Sequence, residues 1–272
     1  MIRILAFGDV VGKPGRKALA QALPTIKAEL KPDFIIANGE NAAGGFGITP
    51  KIHQYLTDTL GLNCITTGNH WADKREIYTI IDNQENLLIP ANMGNVDKES
   101  KGLFLTKIKN TPIAIINAIG TVFMHSENRN PFQTVHRLLD QVPPSTKVRI
   151  IDFHAEATSE KQALAYHLQG QISLFYGTHT HVPTADERIL KSGTGYISDI
   201  GMTGSYDSVI GMDAEAALNR FLTGTKQRLS PATKNCWVSY IYADIDEKSG
   251  KCLSINRKRL ISHNGGPSQP AD

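Results

Sequence analysis

Eight side chains of the types that chelate metal ions and move protons each stand directly after a short apolar run. They are Asp9 in Gly8-Asp9, Glu40 and Asn41 in Gly39-Glu40-Asn41, Asn69 and His70 in Gly68-Asn69-His70, His154 after Phe153, and His179 and His181 in Gly177-Thr178-His179-Thr180-His181. Singly, each has a plainer explanation: an Asp after a strand is commonly a turn or helix cap, and a lone His is commonly a satisfied core residue. Together they carry more weight, because ligands of α/β sheets bind in the crevice outside the carboxyl ends of the strands, where such groups converge. His179 and His181 are two apart, so an extended segment would turn both imidazoles to one face.

Asp9, Glu40, Asn41, Asn69, His154, His179 and His181 are too many donors for one tetrahedral zinc and suit two metal ions sharing a bridge. Glu40 is the expected bridge, since its two oxygens can each serve one ion and its charge helps to balance a pair of dications. Oxygen donors make up about half of the set and no thiolate takes part, which favours iron or manganese over structural zinc. Two divalent ions, less Asp9, Glu40 and a bridging hydroxide, leave about +1, a charge that attracts a monoanionic phosphodiester. The expected reaction is in-line attack on phosphorus by metal-bridging hydroxide, with His70 as general acid or as a donor to the phosphate.

The elements that must position these groups follow from periodicity. Apolar, β-branched runs at 3–7, 34–37, 64–67, 113–117, 148–153, 172–176 and 195–198 read as strands buried on both faces, the rhythm of a layered α/β fold with much parallel pairing. Helical spacing fills the gaps at 17–30 (Leu19, Leu23, Ile26, Leu30, with Pro32 beyond), 50–60, 75–82, 131–140 and 159–168. After residue 232, runs at 237–242 and 253–261 flank a turn at 246–250 and predict a hairpin closing an antiparallel edge. Residues 1–262 are expected to form a single domain and 263–272 a mobile tail. Four residues are candidates for substrate contact: Phe46 in the glycine-rich stretch after Asn41, Thr121 and Phe123 after the run at 113–117, and Met202 after the run at 195–198. Phe46 or Phe123 could stack on a base.

Composition narrows the class. The 272 residues are 40% hydrophobic and 20% charged, enough for a sizeable core, and Lys plus Arg at 29 against Asp plus Glu at 26 gives +3 with no basic block. A dedicated nucleic-acid groove is therefore not expected. No stretch approaches a membrane span, and the opening apolar run is too short for a signal sequence. Cys64, Cys236 and Cys252 form no CxxC pair, so reduced thiols and a cytoplasmic location are expected.

These motifs resemble the calcineurin-like metallophosphoesterases, whose pattern runs GD-x-H, GD-x-x-D, GNH[DE], H and GH-x-H. Val11 stands where that pattern has its first His, and Gly39-Glu40-Asn41 replaces the second Gly-Asp; both departures are similar to the YmdB-like bacterial branch, and the likeness extends to about residue 262. The resemblance implies a four-layer αββα sandwich and a two-metal phosphodiesterase, often iron-containing, acting on 2′,3′-cyclic nucleotides and related diesters. It implies one metal on Asp9, Glu40, Asn41 and His181, with Asn41 in place of the missing histidine. The other would be held by Glu40, Asn69, His154 and His179, with His70 catalytic. Trp71 follows His70 where the family has an acid, so a partner for His70 must come from elsewhere. The expected partner is a small phosphodiester such as a cyclic nucleotide, and a homo-oligomer is compatible. The His-x-His-x-Asp-His run of metallo-β-lactamases is absent, and an amidohydrolase barrel would carry His-x-His on its first strand. The remaining alternative is a metal- and nucleotide-binding regulatory protein with little turnover.

Overall fold

The computed structural model describes residues 1–94, 99–124, 127–225, 227–262 and 269–270. In chain order the principal elements are β1 (Ile2–Phe7), β2 (Asp9–Val10), α1 (Gly12–Leu30), β3 (Phe34–Asn38), α2 (Pro50–Gln54), β4 (Cys64–Thr66), β5 (Leu103–Ile108) and β6 (Thr111–Ile119). They continue with α3 (Pro131–Gln141), β7 (Val148–His154), α4 (Thr158–Leu168), β8 (Leu174–Thr178), β9 (Arg188–Ile189), β10 (Gly195–Ile197), β11 (Met202–Ser205), α5 (Ala214–Thr223), β12 (Cys236–Ile245) and β13 (Cys252–Ser262). Residues 269–270 pair with β13; the rest of the expected tail lies outside the described residues.

The strands form two sheets. The first runs β13-β12-β1-β3-β4, with β11 bridging β12 and β2, and the second runs β5-β6-β7-β8-β10-β9. β1, β3 and β4 are parallel, as are β6, β7, β8 and β10. The period of two along each strand divides the apolar side chains between three interfaces. Leu5, Phe7, Ile35 and Ala37 pack with Leu19, Leu23 and Ile26 of α1 on the outer face of the first sheet. Ile4, Ala6, Ile36 and Cys64 meet Ile113, Ile115, Ile150, Leu174 and Tyr176 between the sheets. Ile116, Ala118, Ile151 and Phe175 pack on the outer face of the second sheet with Val135 and Leu138 of α3 and Leu164 and Leu168 of α4. Three interfaces define four layers, helix, sheet, sheet, helix, as the resemblance implied.

Several boundaries differ from the sequence reading. α1 begins at Gly12 and carries Pro24 inside it, whereas the segment expected at 50–60 divides into α2 and a π-helical turn, Tyr55–Thr59. The segment at 75–82 is only a 3₁₀ turn, Arg75–Thr79. The hairpin of β12 and β13 forms as expected, with β12 antiparallel to β1 and β13 beyond it, and closes the antiparallel side of the first sheet. α5 was not anticipated, because only Ala217 of its apolar residues is buried and the helix presents no core-facing stripe. Its caps were legible: Asp213 accepts the Ala216 N–H and Gly224, at φ +70°, ends the helix.

Candidate metal centre

The ends of four strands and the start of β2 bring the candidate ligands together. Glu40 and Asn41 follow β3, Asn69 follows β4, and Asp9 begins β2, so the first sheet supplies only oxygen donors. His154 ends β7 and His179 and His181 follow β8, so the second sheet supplies only nitrogen donors. His154 Nε2 lies 3.0 Å from Glu40 Oε1, 3.0 Å from Asn69 Oδ1 and 3.1 Å from His179 Nδ1. Beside this group His181 Nε2 lies 3.2 Å from Asn41 Oδ1. Gly68 makes the approach possible, since a Cβ there would collide with the His154 imidazole and the Glu40 carboxylate.

The outer hydrogen bonds decide which ring nitrogens face inward. His154 Nδ1 is 3.0 Å from Thr178 Oγ1, whose hydroxyl donates to buried Asp152 at 2.7 Å. His179 Nε2 is 3.1 Å from Glu156, and His181 Nδ1 is 2.8 Å from the carbonyl of Ile210. Each histidine thus spends one ring nitrogen on an oxygen acceptor and turns the other, as a lone pair, toward the cluster. Asn41 donates its Nδ2 to the carbonyl of Gly45 at 3.0 Å, which leaves its carbonyl oxygen facing His181.

This donor set fits a cation. A single imidazole nitrogen cannot satisfy three neighbours about 3 Å away by hydrogen bonds, whereas donors around one metal ion are spaced at about that distance. Asp9 is fully buried and accepts the His179 N–H at 3.2 Å through Oδ2, but its Oδ1 has no hydrogen-bond partner among the described residues. An orphaned buried carboxylate oxygen is costly unless a cation faces it. Burial raises the Asp9 pKa against the opposing pull of His181 and His154. Burial also pushes Glu40 upward, yet the imidazole of His154 outweighs it and holds the carboxyl low. Burial and the neighbouring His154 lower His179 to about 3, which keeps its imidazole neutral and able to ligate.

The turn carrying two of the histidines is not the extended segment that the sequence reading assumed. His179 and His181 have φ of +101° and +65°, and because β8 ends at Thr178 the two rings converge through a bend rather than a two-residue period. Non-glycine residues adopt this region at a cost, so surrounding structure must impose it. Buried Asp199 accepts the N–H groups of Thr180 at 3.2 Å and Gly201 at 2.8 Å, and pairs with the buried Lys161 ammonium at 2.8 Å.

His70 borders the cluster. Its N–H donates to Glu40 Oε2 at 2.9 Å, its ring packs edge-on against Phe46 with centroids 5.1 Å apart, and Asp73 supplies the partner that Trp71 could not. A cavity of about 410 Å³ opens over these residues, lined by Glu40, Asn41, Phe46, His70, His179 and His181 on one side and on the other by Val209, Ile210, Met212, Leu229 and three residues of α5, Ala217, Arg220 and Phe221. The other expected substrate contacts lie outside its lining. Met202 belongs to β11 and is buried in register with Asp9, because the strand continues where a loop was expected. Thr121 gives its N–H and hydroxyl to Glu160, and Phe123 projects into solvent. Sequence reasoning missed Asp73, Asp152, Glu156 and Lys161, and placed Asp199 only in a loop considered for substrate contact; Asp73, Asp152 and Glu156 stand within three residues of a singled-out histidine, while Lys161 carries no local signal.

Among the described residues no helix is long and apolar enough to cross a membrane. Comparison with known proteins agrees with the geometry. A 2′,3′-cyclic-nucleotide 2′-phosphodiesterase of Bacillus subtilis is 44% identical over 256 residues, which cover 94% of this chain and 96% of that protein. The crystal structure of a phosphatase from Mycoplasma pneumoniae superposes with a TM-score of 0.90 at 30% identity, covering 97% of this chain and 95% of that one. A Thermus thermophilus protein gives 0.88 at 34%, covering 96% and 99%. The YmdB-like protein family matches residues 5–258, and with this span and these relatives the chain belongs to the YmdB-like family.

Proposed function

We propose that the chain is a dinuclear-metal phosphodiesterase acting on 2′,3′-cyclic nucleotides. The observation that carries the reading is the set of inward-facing donors around His154 Nε2, bordered by His70 held at both its backbone and its ring. One ion would take Asp9, Glu40, Asn41 and His181, the other Glu40, Asn69, His154 and His179, with Glu40 shared. When bound, such a pair supplies a Lewis-acid clamp on the non-bridging phosphate oxygens and an activated water. The oxygen-rich donor set suits iron or manganese.

The chain's own residues do the rest. Asn41 and Asn69 would hold the ions through neutral amide oxygens, which would leave the centre a net positive charge for an anionic diester. As a water oxygen bonds to phosphorus and gives up a proton, the bond from phosphorus to the 2′ oxygen breaks, and His70 gives a proton to that leaving oxygen, so that the product is the 3′-phosphomonoester. Asp73 holds the ring that delivers the proton. Three free, buried cysteines fit a reducing cytoplasm.

Metal analysis of the purified protein, paired with hydrolysis of 2′,3′-cyclic AMP on the same sample, tests this. About two ions per chain with many turnovers is the expected result. No bound transition metal and no turnover after addition of manganese or iron would overturn it, and product release limited to one equivalent would favour a regulatory binding protein.

A further inference from the structure

The far wall of the cavity has a chemistry of its own. It is built by Ile210, Met212, Ala217, Arg220, Phe221 and Leu229, apolar apart from one guanidinium, and faces the metal ligands across the same space. The wall is tied to the centre where the Ile210 carbonyl accepts His181 Nδ1–H. α5 carries three of these residues, Ala217, Arg220 and Phe221, and of the whole helix only Ala217 is buried. The Phe221 ring is 82% exposed. Arg220 has neither a hydrogen-bonding nor an acidic side-chain partner among the described residues. A ring left in water beside an unpaired cation, over a pocket next to charged ligands, is a surface waiting for a partner.

We infer that this wall is a nucleobase subsite, with Phe221 as the stacking face and Arg220 as a donor to acceptor atoms on the base edge. The inference rests on the diesterase reading, which places the phosphate at the metal end. From there the ribose spans the cavity, and the base is the only large, planar, apolar part of a nucleotide left to meet the opposite wall. About 410 Å³ is within the range of small-molecule sites. Aromatic stacking tolerates every base, and an arginine fork favours bases with neighbouring acceptors such as guanine. The enzyme is thereby selective for nucleoside diesters over simple ones, with guanine ahead of adenine.

The test compares 2′,3′-cyclic GMP and 2′,3′-cyclic AMP with methyl riboside 2′,3′-cyclic phosphate, which keeps the ring diester and lacks the base. Phe221→Ala should lower the ratio of kcat/KM for the nucleotides to that for the base-less diester about tenfold, with Phe221→Trp restoring it. Arg220→Met should erase the guanine preference. A second readout does not need turnover: 3′-GMP binding to the metal-loaded protein, followed by calorimetry, should weaken about tenfold in Phe221→Ala. Equal losses on all three substrates, or unchanged 3′-GMP binding, would overturn the subsite. So would an unchanged ratio accompanied by conversion of an oligomer to a monomer, which would assign the ring to a contact between copies. If the wild type turns over none of the diesters yet 3′-GMP binding still depends on Phe221, the diesterase reading fails and the subsite stands.

Discussion

His70 Nδ1 lies 2.8 Å from Asp73 Oδ2, across a turn that the Asp73 N–H closes on the His70 carbonyl at 3.1 Å. The carboxylate orients the imidazole and leaves Nε2 as the ring atom free for substrate. His70→Ala should therefore lower kcat about 10²- to 10⁴-fold while metal content is unchanged. Asp73→Asn should cost about tenfold, since the acid remains but its orientation loosens. Steady-state kinetics with metal analysis of each variant checks both, and full activity in His70→Ala would remove it from the proton-transfer role.

Glu40 is the carboxylate that meets both the His154 ring and the His70 backbone. Glu40→Ala should reduce the metal content from about two ions per chain to one or fewer, because the shared ligand is lost. Elemental analysis after gel filtration reads the result, and retention of two tightly held ions would refute the bridge.

Stripping the metals should make stability fall as pH rises from about 6.5 to 9. Burial works against the charged form of His154, but Glu40 and Asp9 outweigh it and raise the imidazole to about 9. The folded chain thus holds a proton that the unfolded chain, near 6.5, gives up. That stabilisation is complete below the unfolded value and is lost as pH passes the folded one. Burial raises Asp152 to about 7, which acts in the same direction over the lower part of the window. Metal ions compete for the same lone pairs, so the stabilisation they confer should grow over that range. Thermal melts of stripped and reloaded protein at several pH values test the crossing trends; a stripped protein whose Tm rises from pH 6.5 to 9 would contradict them.

Lys161→Met should cost about 3–5 kcal/mol, because it leaves Asp199 charged and buried without its partner. Metal affinity should fall as well, since Asp199 anchors the bend that carries His179 and His181. Denaturant melts and metal titration together separate this from simple loss of fold.

The strand ends were legible because each apolar run stops abruptly at a polar group, and register in a parallel sheet aligns those stops. Tyr176 and Phe175 show the same logic, one facing the other sheet and one facing the helices. The bend at His179 was not legible, since Asp199, which accepts the Thr180 N–H within it, and the Lys161 that pairs with Asp199 are both distant in sequence. α5 escaped for the opposite reason: the periodic signal reports a buried stripe, and Leu218, Phe221 and Leu222 are exposed. Thr121, Phe123 and Met202 follow strands as the other candidates do, but their side chains are spent on Glu160, solvent and the core.

The division of donors between the sheets has a mechanical consequence. With oxygen donors from one sheet and nitrogen donors from the other, an ion held as proposed would be shared between the sheets and would act as a rivet through the seam of the sandwich. Force or denaturant that slides the layers of the loaded protein apart would then have to break coordination bonds. The protein would thus report loss of its cofactor as loosening of its own middle.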